Sequence, residues 1–260
     1  MPLSDIQTQK IRQLLSEKIE NKLESYERET RSMPFLARIV QDSEKIAAYS
    51  FIHSIATSLG MSIYEDISVI IAEEHSDECY KNYGVGGVIS DEQKEVISGI
   101  IRRLRNGDQA ADIQQETRKI LRASARNGQY QKSGNKADFY MRKGDEEYLF
   151  EIKTAKPNID VFEKSKQKLL EWIARKRRQV HVFLAIPYNP YHPHPYARFT
   201  EVNMMDPPHD FLVGDEYWDF IGGKGTFQDL LDAFDEIGKS YKNTLNEMFR
   251  KVAEKKIDSY

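Results

Sequence analysis

Apolar residues recur at helical spacing through the first half of the chain. Ile6, Ile11, Leu14, Leu15, Ile19 and Leu23 predict a first helix over about Ser4–Tyr26, broken by Pro34. Further helices are expected over Ser43–Leu59 and Ser62–Glu78, with Gly60 between them. Asn82–Ser90, rich in glycine, reads as a loop, and Ser90 with Gln93 forms a capping box opening a helix to about Arg105. Another helix covers Ala110–Arg126. The period then changes. Ala137–Arg142 and Glu147–Thr154 alternate as strands around Lys143-Gly-Asp-Glu146, a hairpin turn. Asp160–Arg178 returns to helix with Val161, Phe162, Leu169, Leu170, Trp172 and Ile173 as its apolar face. Gln179–Pro187 is a continuous apolar run, read as a buried strand. Tyr188–Pro195 is an irregular loop, Tyr196–Val202 a candidate strand, and Thr226–Asp258 a C-terminal helix. The expectation is an α/β fold. A mixed central sheet is flanked by helices, in one domain over 1–260: a mainly helical region over 1–130, a β-rich core over 131–202 and a helical C-terminal region over 203–260.

Composition narrows the class without naming a partner. With 40% hydrophobic and 30% charged residues the chain suits a folded domain, and a net charge of −3 predicts neither nucleic acid nor a membrane surface. Any evidence for DNA must therefore be local. The single cysteine, Cys79, forms no internal disulfide, which fits the reducing cytoplasm. No run of about 18 apolar residues suggests a membrane span.

Chemistry gathers on the hairpin. Glu151 and Lys153 stand two apart on one strand, so both side chains leave the same face while Phe150, Ile152 and Thr154 point to the other. If the turn pairs the strands, Asp138 lies near Glu151 although thirteen positions separate them. Two carboxylates and a backbone carbonyl such as that of Ile152 make a hard oxygen site suited to Mg²⁺, and Lys153 would position a water and a phosphate beside it. Spacing alone also leaves open a solvated hairpin edge carrying a weak Glu151–Lys153 ion pair.

Lys136-Ala-Asp138 followed by Glu151-Ile-Lys153 resembles the signature of the PD-(D/E)xK nuclease superfamily, with Ala137 where the motif has proline. The order strand, strand, helix, apolar strand matches that superfamily's core. The strings Phe150-Glu-Ile-Lys-Thr-Ala-Lys-Pro-Asn158, Leu169-Leu-Glu-Trp172 and Val213-Gly-Asp-Glu-Tyr-Trp-Asp-Phe-Ile-Gly-Gly223 further resemble type II restriction endonucleases, within them the TdeIII-like group associated with GGNCC-type sites. The resemblance implies a Mg²⁺-dependent endonuclease on double-stranded DNA, acting as a two-fold homodimer, with a cognate DNA methyltransferase. Its catalytic residues would be Asp138, Glu151 and Lys153. Glu65, ending Ser58-Leu-Gly-Met-Ser-Ile-Tyr-Glu65, resembles the helix glutamate that several restriction enzymes send to the metal site. A repair nuclease without a fixed site and a non-catalytic DNA-binding module remain the alternatives.

Between Glu116 and Lys143 eight basic residues stand against two acidic ones, which supplies phosphate contacts through Arg118, Arg122, Arg126, Lys132 and Lys136, with Lys156 beyond the motif. Lys164, Lys166, Lys168 and Arg175–Arg178 extend the band, and Gln129, Tyr130, Gln131, Ser133 and Asn135 are candidate hydrogen-bonding contacts to DNA. Gly84–Gly87 and Gly222–Thr226 satisfy no phosphate-loop pattern and read as turns. His192, His194 and His209 match no usual zinc spacing, and Cys79 lacks a base partner.

Overall fold

The computed structural model describes residues 3–26, 34–132, 134–154, 156–197 and 203–254. Contacts divide the chain into two compact units, one of residues 3–64 with 228 onward and one of residues 65–227.

The first unit is helical. Its elements are α1 (Asp5–Ser25), α2 (Pro34–Val40), α3 (Ser43–Ser58), a π-helical turn (Leu59–Ile63) and most of the long α9 (Thr226–Glu254). Ser4 caps α1 in a complete capping box with Gln7, a device worth about 1 kcal/mol. Ion pairing of Arg12 with Glu236 and the edge-on rings of Tyr26, Phe51 and Phe249 tie the helices together.

The second unit carries the sheet. Its elements run from α4 (Tyr64–Ala72) through β1 (Glu78–Gly84), α5 (Asp91–Asn106), α6 (Ile113–Arg122), β2 (Lys136–Lys143) and β3 (Glu146–Ile152). They continue with α7 (Ile159–Lys176), β4 (His181–Ile186), β5 (Phe211–Val213) and α8 (Asp215–Gly222). The five strands lie in the order β1-β2-β3-β4-β5. The first three are antiparallel, whereas β3, β4 and β5 are parallel, so the sheet is mixed and helix-flanked as expected.

The β2–β3 hairpin closes on Gly144-Asp145, and Gly144 takes the positive φ that a two-residue turn requires at its first position. Asn158 caps α7 by accepting from the Val161 amide at 3.0 Å, and α7 then returns the chain so that β4 can lie parallel to β3. One sheet face is buried under α5 and α7 through Ile97, Ile100, Leu104, Leu169 and Leu170. Phe139, Phe150, Phe183, Tyr217 and Phe220 pack ring on ring; Phe150 stacks on Phe183 at 5.2 Å. Ser68 and Tyr217 share a buried hydrogen bond of 2.6 Å that joins α4 to α8.

Two strands depart from the expectation. The helix expected to reach Glu78 stops at Ala72, and Glu78–Gly84, partly expected as loop, is the edge strand β1. Its side chains are half-buried or exposed, so no apolar run marks it. β5 lies at Phe211–Val213, whereas residues 198–202 of the strand expected over Tyr196–Val202 lie outside the described residues, as do residues 255–258 of the C-terminal helix. No described helix is long and apolar enough to cross a membrane.

Candidate active site

Strand geometry brings the three motif residues together. Phe139 pairs with Phe150, which sets Asp138 and Glu151 opposite one another at the next position, and Asp138 Oδ2 accepts from the Ile152 amide at 2.8 Å. Lys153 stays attached to the sheet through its own amide, donated to the Ala185 carbonyl at 3.0 Å. Its ammonium lies 2.5 Å from Glu151 Oε1, 3.4 Å from the Ile152 carbonyl and 3.8 Å from Asp138 Oδ2.

Among the described residues no three His, Cys, Asp or Glu side chains form a ready cluster. What converges instead is two carboxylates and one carbonyl on a single positive charge. All are hard oxygen donors, and the ammonium stands in for a cation there, so this donor set fits a divalent ion such as Mg²⁺.

Two carboxyls of this region are perturbed. Burial, and after it the neighbouring charge of Glu151, hold the Asp138 carboxyl above its ordinary range. Glu65, in the first turn of α4, is also raised, by burial first and then by Asp138 and Asp66, which places it in the field of the hairpin. Asn82 of β1 donates from Nδ2 to Glu65 Oε2 at 3.3 Å. A second lysine reaches the site as well: Lys168 of α7 pairs with Glu151 Oε2, and its ammonium sits 5.3 Å from the ring centroid of Trp172.

The expected DNA contacts are scattered. Lys136 is exposed at the start of β2, two residues before Asp138, and Lys132 is exposed just ahead of it. Lys156 is exposed past β3 with its ammonium over Tyr191. Arg118 lines a groove with Gln179–Phe183 at the start of β4, whereas Lys153 meets Ala185 near that strand's end, so the fold does not bring Arg118 to the motif. Arg122 and Arg126 are exposed at and after the end of α6. Asn135 donates to the hydroxyl of exposed Tyr130, and Ser133 lies outside the described residues.

Two members of the expected basic band are interior. Lys166 is fully buried, paired with Glu116 at 2.7 Å and with Asp210, because it follows Phe162 by one helical turn and falls on the apolar face of α7. Arg175, 4% exposed, donates to the carbonyls of Gln131, Gly86 and Gly87 and so braces two loops. Gly86 and Gly87 have positive φ, and Thr226 Oγ1 donates to the Gly223 carbonyl, which agrees with turn chemistry at both glycine-rich stretches. Cys79 donates weakly to the Val69 carbonyl at 3.7 Å, and burial pushes its thiol up.

A family model described as type II restriction endonuclease, HinfI, matches residues 3–238. The chain belongs to this family. Relatives of the HinfI-family chain include the type II restriction enzyme MjaII of Methanocaldococcus jannaschii, 27% identical over 72% of this chain and 54% of its own length. The chain thus spans about half of MjaII. It covers more of the type II restriction enzymes HgiCII and HgiEI of Herpetosiphon aurantiacus, at 27% identity over 80% and 26% over 82% of their lengths. No solved structure matches this HinfI-family member significantly.

Proposed function

We propose that this protein is a Mg²⁺-dependent, site-specific endonuclease that hydrolyses phosphodiester bonds of duplex DNA at a short palindromic site, GGNCC-like in type. The observation that carries this reading is the convergence of Asp138, Glu151 and the Ile152 carbonyl on the Lys153 ammonium. These three oxygens would hold the ion, and Lys153 would position the attacking water and the scissile phosphate. Bound Mg²⁺ supplies stabilisation of charge on the phosphate and a lowered pKa for a bound water. Glu65, oriented by Asn82, would hold a metal-bound water or complete the shell of a second cation. Lys132, Lys136 and Lys156 hold flanking backbone phosphates, and two copies related by a two-fold axis read the symmetric site. A methyltransferase of the same specificity protects the host.

The test is digestion of a long duplex of known sequence with Mg²⁺, mapping the ends. Discrete fragments with a common terminal sequence are expected, no cleavage in excess chelator, and binding without efficient cleavage when Ca²⁺ replaces Mg²⁺. Smeared products would point to a nuclease without a fixed site. Binding indifferent to Mg²⁺ with no nicking would leave only a DNA-binding module.

A further inference from the structure

Glu151 is held by two lysines, one on each carboxylate oxygen, and only one of them belongs to the hairpin motif. The second, Lys168, is no free surface cation. Its side chain is 21% exposed, its ammonium lies over the Trp172 ring, and Trp172 Nε1 is itself fixed by donation to the Gly134 carbonyl at 2.9 Å. Beside this pair opens a cavity of about 520 Å³ with nine lining residues, among them Lys153, Lys164 and Lys168 together with Glu151 and Glu171. Three of the nine are lysines against two glutamates, and Glu151 is itself taken up by Lys153 and Lys168, so the lining carries a net positive charge that suits an anion.

Charge counting gives Lys168 a task. Asp138, Glu151 and Glu65 bring three negative charges and Lys153 and Lys168 two positive ones, a net of −1. A divalent ion turns the site to +1, which one phosphodiester neutralises. Without Lys168 the loaded site would be neutral before DNA arrived and would hold a phosphate poorly. A dication on Glu151 also repels an ammonium bonded to the same carboxylate, so metal loading frees Lys168 to turn into the lysine-lined cavity.

We propose that Lys168 is a phosphate-binding residue of the active site, holding Glu151 while the metal is absent and a non-bridging oxygen of the DNA backbone once it is bound. This rests on the metal-nuclease reading above. Lys168→Met keeps an unbranched side chain of similar length beside Trp172 and removes the charge.

The test uses full-length wild type, Lys168→Met, Lys168→Arg and Asp138→Asn, with Mn²⁺ as the metal probe in calorimetry without DNA, and single-turnover cleavage at saturating Mg²⁺. Loss of one positive charge beside Glu151 should tighten Mn²⁺ about tenfold in Lys168→Met. Loss of a donor to the phosphate should slow cleavage about a hundredfold, with Lys168→Arg staying within about tenfold of wild type. A merely structural lysine would not move metal affinity and cleavage in opposite directions. Unchanged Mn²⁺ affinity in Lys168→Met, an unchanged rate, or Lys168→Arg as slow as Lys168→Met would overturn the assignment. If Asp138→Asn is dead while Lys168→Met matches wild type in both readouts, only Lys168 is removed from the site. If Asp138→Asn cleaves normally, the metal-site reading falls and this proposal with it.

Discussion

Replacing Lys166 by methionine should destabilise the sheet unit by about 4 kcal/mol, because breaking a buried ion pair from one side leaves an uncompensated charge. The lysine is fully buried, as are its partners Glu116 on α6 and Asp210 just before β5. Asp210 is further tied into the chain by accepting from the Asp206 amide at 2.7 Å. Burial already holds the Glu116 carboxyl above its usual range despite Lys166. Removing the ammonium raises the Glu116 carboxyl further, and the variant then loses stability as pH rises from the ordinary carboxylate range, near 4, through that raised folded value. The penalty is therefore present above that folded value and shrinks as pH falls through it towards the ordinary carboxylate range. Scanning calorimetry should show the transition of this unit lowered by about 8–16 °C at neutral pH and by much less in acid. The combined variant Lys166→Met, Glu116→Gln, Asp210→Asn should regain most of the loss, since no charge is then stranded. A cost below about 1 kcal/mol for Lys166→Met alone would show that the triad is solvated or replaceable, and the reasoning from burial would fail.

Asp138→Asn should abolish cleavage yet raise the melting temperature of the metal-free protein. The folded state holds this carboxyl above its ordinary range, so ionising it costs stability as pH rises through that window; melts at pH 4 and pH 7.5 should show the gain only at the higher pH. Glu65→Gln should slow cleavage or raise the Mg²⁺ requirement with DNA affinity in Ca²⁺ unchanged, and an unaltered rate across a Mg²⁺ titration would return Glu65 to an ordinary helix surface. Gly87→Ala should cost at least about 2 kcal/mol in denaturant unfolding, since φ is +70° and a Cβ would collide with the Arg175 carbonyl oxygen; a neutral effect would mean that this loop shifts freely.

The hairpin was legible because its residues alternate with period two around a Gly-Asp turn, and that alternation alone places Glu151 and Lys153 on one face. The capping box at Ser90 was equally readable, as both of its reciprocal hydrogen bonds form. The edge strand β1 was not. It buries almost nothing, and its place is set by pairing with β2, a contact that no local pattern announces. With β1 hidden, so was Asn82 and its bond to Glu65, which is how a carboxylate far away in sequence is held beside the hairpin. β5 is three residues long, too short for a period to show. Lys166 falls among the surface cations only when charge is counted and helical phase ignored, for α7 carries Phe162, Lys166, Leu169 and Leu170 on one buried face. Lys164, Lys168 and Trp172 likewise form a row at intervals of four, in which the two lysines line the cavity beside Glu151 and Trp172 lies under the Lys168 ammonium.

Asn82 has a left-handed backbone, with φ of +53°. This breaks the alternation of β1, and Tyr80, Tyr83 and Tyr140 accordingly stack as three neighbouring rings, Tyr83 on Tyr140 at 3.9 Å. The outer rim of the sheet therefore presents a kinked strand with Glu78 and Lys81 along it, poorly suited to recruiting a further strand. The opposite rim offers only three residues, all buried. As far as the described residues go, both margins thus disfavour accidental zippering between molecules, which works against edge-to-edge aggregation of a concentrated or newly made chain. Among the described residues, helices and loops thus offer a symmetric pairing of copies a better surface than either edge of this sheet.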